Sequence, residues 1–299
     1  MVIRGHDRDD QDPFPTLAYL RVERLNTPQY EDASAVFVSP DIFLTAAHVF
    51  HSPDKTKRVK ELEVSLHEPA TGQELYFEEH RELEFNEVME KRFRIHPEYS
   101  KGLNDVAVFK VDTPVQTFAS VLTGETMKSD EFKSVFAGVA GWGLMIRSGR
   151  IDKPSGAQFA PQFVAEFAAD IEDEADQYYR PDTDTPTLLS VIENGLFYVS
   201  NISDGKRQGP CPGDSGGGVF LGLPEAAVSE PNLPMPSHAL LGIVSHSSLP
   251  PPHNGATNPE RLDHYSRTDL SVACTNLILY KDWIDAAIGE LGGKPITYM

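Results

Sequence analysis

Cysteine is scarce in this chain: Cys211 and Cys274 are its two, in 299 residues. Two thiols cannot build the bridge framework that holds small secreted domains, so a buried core must carry the fold. They can form one bridge or stay free. No cysteine–histidine cluster has zinc-ligand spacing, which argues against a structural metal. No apolar run approaches the ~18 residues of a membrane-spanning helix, and charges interrupt the N-terminal stretch MVIRGHDRDDQDPFPTLAYL where a signal peptide needs an apolar segment. Either the chain works in the cytoplasm with Met1 as its native start, or it is a mature secreted form given a start methionine. Bases are in deficit, 26 Lys and Arg against 45 Asp and Glu, for a formal net charge of −19. Phosphate contacts need a basic footprint, so nucleic acid is not an expected partner, and neither is a membrane.

What the chain does have is a series of short apolar runs rich in Val, Ile, Phe and Tyr: TLAYLRV, SAVFV, IFLTAA, DVAVFKV, SVFAGVAGW, GLFYVS, GGVFLG and ALLGIVSHS. Pro and Gly punctuate them, which predicts an all-β barrel or sandwich rather than alternating β and α units. Two segments carry helical periodicity. FVAEFAADIEDEADQYY (163–179) sets apolar residues against acids. YKDWIDAAIGEL aligns Trp283, Ile284, Ala287, Ile288 and Leu291 on one stripe, with Gly292 and Gly293 as the stop. Segments 144–162, 180–188, 222–239 and 248–268 read as loops, and none is composed like an interdomain linker. The chain therefore reads as one unit, 1–299, of two closely packed sub-barrels.

The stretch GPCPGDSGGGVF (209–220) puts five glycines around one serine. Such a loop is either a surface turn or a place where backbone N–H groups can crowd a reacting oxygen. A serine hydroxyl is a weak nucleophile unless a base lies within hydrogen-bonding reach and an acid orients that base. Of ten histidines, His48 in FLTAAHVF differs from the rest, because it follows an apolar strand beside two small alanines. Asp105 in LNDVAVFKV leads into another apolar strand, where an unpaired carboxylate costs several kcal/mol; pairing with an imidazole N–H would relieve that.

LTAAHV, NDVAVFKV and GDSGGG, in that order, resemble the chymotrypsin/trypsin family of serine endopeptidases. HPEY (96–99), GWG (141–143), GIVSHSS (242–248) and YKDWIDAAI extend the likeness over nearly the whole chain. The resemblance implies two packed six-stranded antiparallel β-barrels, over about 16–120 and 130–278, and a C-terminal helix over 279–291. It implies Ser215 as nucleophile, His48 as general base and then acid, and Asp105 as the group that orients the ring. The backbone N–H groups of Gly213 and Ser215 would form the oxyanion hole, and Ser245 would add a hydrogen bond to Asp105. The partner implied is a polypeptide substrate, with room for a protein inhibitor or regulator, and no cofactor is needed. In this family the acid before the nucleophile pairs with a buried new α-amino group. That suggests Val2, once Met1 is removed, as the partner of Asp214.

By the same resemblance Gly209, six residues before Ser215, would form the floor of the specificity pocket, with Pro210, Cys211 and Pro212 as further substrate-binding positions. With glycine there, the chain lacks the acid that trypsin-like members use to bind Arg or Lys, although Asp204 on a nearby loop is a weak candidate replacement. Ser247 and Val272 fall on the pocket walls, where Val272 would favour small or medium apolar side chains. His246 stands where the family usually has Trp; it either substitutes for packing or joins Ser247 in accepting an acidic residue. Val49 follows His48 where the family has a cysteine, so the usual histidine-loop bridge is absent, and a Cys211–Cys274 bridge is open. Glu78, Glu79, Glu82 and Glu84 lie near the family's calcium loop without an ordered ligand pattern. The long segments 222–239 and 248–268 border the cleft and suggest restricted specificity. The reading is a serine endopeptidase; the rival is a latent protease-like binding protein. A hydrolase-fold esterase fits poorly, because its histidine comes last in the chain.

Overall fold

Apolar runs without polar interruption mark strands that are covered on both faces, and the first half of the chain contains two short ones, IFLT and the start of AVFK, among strands that mix charge with apolar residues. The computed structural model describes residues 16–24, 30–50, 59–68, 73–78, 91–100, 103–112, 114–123, 136–147, 150–152, 158–165, 195–203, 206–208, 210–221, 239–247, 256–265 and 272–299. Strands β1 (Leu17–Arg24), β2 (Tyr30–Ser39) and β3 (Ile42–Thr45) lead into one helical turn, α1 (Ala47–Phe50). They are followed by β4 (Val59–Glu68), β5 (Gln73–Glu78), β6 (Phe93–Ile95) and β7 (Ala107–Lys110). These pair in a seven-stranded antiparallel sheet, in the order β5-β4-β1-β2-β3-β7-β6. Alternation divides their side chains between two cores. Ala35, Phe37, Phe43, Ala107 and Phe109 enter one; Val36, Val38, Ile42, Leu44 and Val108 enter the other. In the first core Phe43 stacks on Phe109 with centroids 4.9 Å apart and meets Phe37 edge-on at 5.5 Å.

The second core is the seam with the rest of the molecule, where Phe220, Leu240, Ile243 and Ile284 join the same cluster. The second half begins with β8 (Ser120–Val121), β9 (Phe136–Gly141) and the hairpin β10 (Met145–Arg147) and β11 (Arg150–Asp152). It continues with β12 (Gln158–Ala165), β13 (Leu196–Ser203), β14 (Lys206–Gln208), β15 (Gly218–Leu221), β16 (Ala239–Ser247) and β17 (Val272–Asn276). Six of these strands close on themselves, β12-β9-β15-β16-β17-β13, through the pairing of β12 with β13. The fold is thus sheet-dominated and two-barrelled as expected, although the first sheet has seven strands among the described residues rather than six.

Helix α2 (Asn258–Tyr265) lies between β16 and β17, and a 3-10 turn (Leu277–Tyr280) leads into α3 (Lys281–Leu291). The stripe Ile284, Ala287, Ile288 and Leu291 is buried, with Trp283 packed at its edge. Gly292 ends α3 in the left-handed region at φ 61°, which a residue without Cβ adopts at little cost. Lys110 Nζ then donates to the carbonyls of Leu291 and Gly292 at 3.2 and 2.7 Å, tying the helix end to β7. Among the described residues no helix is long and apolar enough to cross a membrane.

Three sequence expectations need correction. Residues 163–165, expected to open a helix, end β12 instead: Phe163, Val164 and Ala165 pair with Ser200, Val199 and Tyr198 to close the barrel. Residues 166–179 lie outside the described residues. The 144–162 segment, read as loop, holds β10, β11 and most of β12, whose pairing is tertiary and leaves little local trace. The 248–268 segment, also read as loop, holds α2, and its signal was local: Thr257 precedes the helix, and Glu260 accepts from the Thr257 backbone N–H at 2.7 Å, one half of a capping box, and from its hydroxyl at 2.9 Å.

Neither cysteine is in a disulfide. Cys274 is fully buried, which pushes its thiol well above the ordinary range, while Cys211 is half-buried. Titration of the native protein with a thiol reagent should therefore modify Cys211 and spare Cys274, and both should react after unfolding. Fast reaction of Cys274 in the native state would contradict this packing. Phe43→Ala, which removes the ring between Phe37 and Phe109, should cost roughly 3–5 kcal/mol in chemical denaturation.

Candidate active site

β3 delivers His48 into the cleft through α1, whose Ala47, Val49 and Phe50 are buried. Phe50 meets Phe93 edge-on at 4.2 Å, so the turn is anchored from below and the imidazole is the part left partly exposed. Asp105 comes from the segment before β7. The preceding Asn104 has φ 53°, a conformation that asparagine tolerates better than most residues. Its side chain donates to the Glu98 carbonyl at 3.1 Å and accepts from Tyr280 Oη at 2.9 Å. Thr275 Oγ1 on β17 donates to the Asp105 carbonyl at 3.0 Å, so the second barrel holds this segment as well.

The Asp105 carboxylate is buried and meets three donors. Oδ1 accepts the His48 backbone N–H at 2.8 Å; Oδ2 lies 2.7 Å from His48 Nδ1 and accepts from Ser245 Oγ at 2.5 Å. Burial alone would raise its pKa. The charge and hydrogen bonds of His48, with the Ser245 bond, outweigh burial and hold it below the usual carboxylate value. An ionised Asp105 fixes the tautomer of His48, with hydrogen on Nδ1. Nε2 is then an acceptor, 2.9 Å from Ser215 Oγ. The arrangement can take a proton from the serine and leave the resulting imidazolium beside a carboxylate.

Ser215 sits in a loop that the first sheet grips. Ser34 N donates to the Ser215 carbonyl at 2.8 Å, and Ser34 Oγ donates to the Gly213 carbonyl at 2.8 Å while accepting from Trp142 N at 2.9 Å. Thr45 Oγ1 donates to the Ser34 carbonyl at 2.8 Å. Gly216, at φ 80°, must be glycine here: a Cβ would fall 2.1 Å from Thr45 Oγ1 and 2.2 Å from the Ser34 carbonyl oxygen. Gly213 has φ 97°. Among the described residues neither the Gly213 N–H nor the Ser215 N–H donates to a protein acceptor. The Ser34 hub was missed in the sequence; a serine inside ASAVFV, buried in an apolar run, was the available signal.

Asp214 is fully buried, and its carboxylate accepts from Gly143 N at 2.7 Å and Cys211 N at 2.8 Å. Val2 lies outside the described residues, and so do Gly209 and Asp204. Pro210 is buried and Pro212 exposed. Ser245, His246 and Ser247 follow one another on β16, where His246 pairs with Ala273 and Ser247 with buried Val272. The Ser247 side chain lies outside the described residues. His246 Nδ1 is 3.0 Å from Ser245 Oγ. Among the described residues no group of His, Cys, Asp and Glu is placed to hold a metal ion; Glu79, Glu82 and Glu84 fall outside them.

A cleft of about 440 Å³ opens beside His48, Gly213 and Ser215. Glu31, Asp32 and Ala33 of β2 line one side, Leu144 and Pro212 another, and Arg261 of α2 reaches it as well. Glu31, Asp32, Leu144 and Arg261 did not stand out in the sequence, because nothing local sets them apart from ordinary surface residues.

No curated protein matches this chain. A solved structure of HL collagenase shares the fold: it is 21% identical, with a TM-score of 0.57, over 96% of this chain and 99% of that one. A family model described as Trypsin matches residues 3–165, more than half of the chain, which takes in His48 and Asp105 and stops before Ser215. The sheet-dominated two-barrel fold and this match agree, and the chain belongs to the trypsin family.

Proposed function

We propose that this chain is a serine endopeptidase that cleaves peptide bonds through an acyl-enzyme on Ser215. The observation that carries the reading is the unbroken line from Ser215 Oγ to His48 Nε2 at 2.9 Å and from His48 Nδ1 to Asp105 Oδ2 at 2.7 Å. In the first step Ser215 Oγ attacks the substrate carbonyl carbon as its proton passes to His48 Nε2. The negative charge that develops on the carbonyl oxygen is taken by the N–H groups of Gly213 and Ser215, donors of a kind worth roughly 3 kcal/mol each. Asp105 keeps the ring in the required tautomer and stabilises the imidazolium. The C–N bond breaks as His48 returns the proton to the leaving amine, and water then releases the acyl group by the same path.

Several features support a narrow, non-tryptic specificity. Gly209 carries no charge to pair with a basic side chain, and Val272 fills space on β17 beside the Ser247 strand position. Helix α2 borders the cleft, with Arg261 reaching its lining. An apolar side chain before the scissile bond fits these residues best, and an acidic one is the second choice. Asp214, gripped by two backbone donors, can also take a cation, and the amine of Val2 is the candidate.

A fluorophosphonate probe should label wild-type protein once, at Ser215, and Ser215→Ala should take no label and lose about six orders of magnitude in turnover. A folded sample with a processed N-terminus that remains unlabelled would instead make this a latent binding protein. Generic substrates such as casein should be cut slowly; rapid, indiscriminate digestion would argue against restricted specificity. Intact-mass measurement of active enzyme should show a chain beginning at Val2, and full activity with Met1 retained would exclude the Val2–Asp214 pair.

A further inference from the structure

We infer that His246 is a positioning residue of the triad, acting on Asp105 through the hydroxyl of Ser245. The consequence for catalysis rests on the peptidase reading; the geometry does not. Ser245 Oγ lies 2.5 Å from Asp105 Oδ2 and 3.0 Å from His246 Nδ1. The hydroxyl has one hydrogen to give, and an ionised carboxylate can only accept. Were the hydrogen turned to His246, two oxygens without a proton between them would face each other at 2.5 Å. Ser245 therefore donates to Asp105, and its lone pairs face His246. The imidazole must then donate: its hydrogen is on Nδ1, and Nε2 stays unprotonated while the ring is neutral.

This makes one continuous chain, His246 Nδ1–H to Ser245 Oγ, Ser245 Oγ–H to Asp105 Oδ2, His48 Nδ1–H to the same oxygen, and Ser215 Oγ–H to His48 Nε2. An apolar ring at position 246 could fill the same space, but it could not orient the Ser245 hydroxyl. Donation from Nδ1 leaves Ser245 a single useful direction in which to point its hydrogen, and bonds in such chains polarise one another.

The charged groups facing His246 are Asp105, before β7, and His48, on α1; across from it on β17 stand Val272 and Ala273, which carry no charge. His246 keeps an exposed face, and partial loss of water around its ring still pushes it below the ordinary imidazole value, against the attraction of Asp105; His48 adds to the lowering. Two imidazoles thus share one carboxylate. A proton on His246 would keep the Nδ1–H bond but place a positive charge beside the carboxylate that must stabilise His48 when it becomes charged. The two titrations are coupled, and the protonated form of His246 is the less active one.

Two measurements test this. In protein labelled with nitrogen-15 histidine, two-bond proton–nitrogen correlation at neutral pH should show His246 protonated on Nδ1, the signal being assigned by its loss in His246→Asn. A proton on Nε2 would overturn the inference whether or not the enzyme is active. The second measurement is the rate of fluorophosphonate labelling of Ser215 as a function of pH. His246→Phe should slow labelling roughly threefold to tenfold at mildly alkaline pH, the weight of one hydrogen bond. His246→Asn offers an amide N–H that does not titrate; it should recover most of that loss, and its acid limb should fall with one proton where the wild type falls with two. An Asn variant no faster than Phe, a Phe variant as fast as wild type, or identical acid limbs would each defeat it. If no form of the protein labels, the peptidase reading fails and the spectrum alone decides the tautomer.

Discussion

A carboxylate buried at the seam between two barrels is the constraint on which this molecule turns. Asp105 is removed from water, and an isolated charge there would cost several kcal/mol. The donors that offset this cost come from both halves of the chain: the backbone and ring of His48 from the first, the Ser245 hydroxyl from the second. Thr275 and Tyr280 then fix the backbone that carries the acid, through its own carbonyl and through Asn104. If the barrels shifted relative to each other, Asp105 would lose partners that burial makes expensive to lose. The geometry that orients His48 is therefore also a geometry that locks the two sheets together. Stability and site share one set of bonds.

Ser34 plays the complementary part from the other direction. Its N–H, hydroxyl and carbonyl each engage a different segment: Ser215, the Gly213–Trp142 pair and Thr45. It binds the loop through carbonyls, so the N–H groups of Gly213 and Ser215 are not consumed in holding that loop. Asp214 works similarly below the loop, with its carboxylate gathering the Gly143 and Cys211 N–H groups. The loop is rigid although glycine-rich, because contacts from both barrels fix the freedom that glycine provides.

How far this could be read in advance depended on where each signal resided. Strands covered on both faces, such as IFLT and AVFK, advertise themselves as continuous apolar runs. Their neighbours β4 and β5, VKELEVSLHE and QELYFE, mix charge with apolar residues and pass for polar segments until β4 pairs with β1 and β5 with β4. The acidic 163–179 segment shows the opposite error, for its helical periodicity was real but its first residues were claimed by barrel closure. His48, Asp105 and Ser215 were legible because each was an anomaly beside an apolar strand or inside a glycine loop. Arg261 and Asp32 were not. Nothing local distinguishes a charged residue on a helix or strand that will border a cleft from one that faces water, and only the meeting of distant segments makes the difference.

The loss of a covalent clamp beside the histidine needs a physical substitute, and the structure supplies one. Where the family places a cysteine, this chain has Val49, buried in the core of the first sheet. Ala47 and Phe50 flank it, Phe50 packs on Phe93 and Phe109, and the Val49 N–H closes the turn on the Ala46 carbonyl at 3.2 Å. A bridge works chiefly by limiting the unfolded chain, whereas this cluster acts in the folded state by burying apolar surface under the imidazole. Cys211 and Cys274 likewise form no disulfide. Among the described residues, the relation of His48 to Ser215 therefore depends on packing and hydrogen bonds alone, and no change of thiol redox state is needed to make or break it.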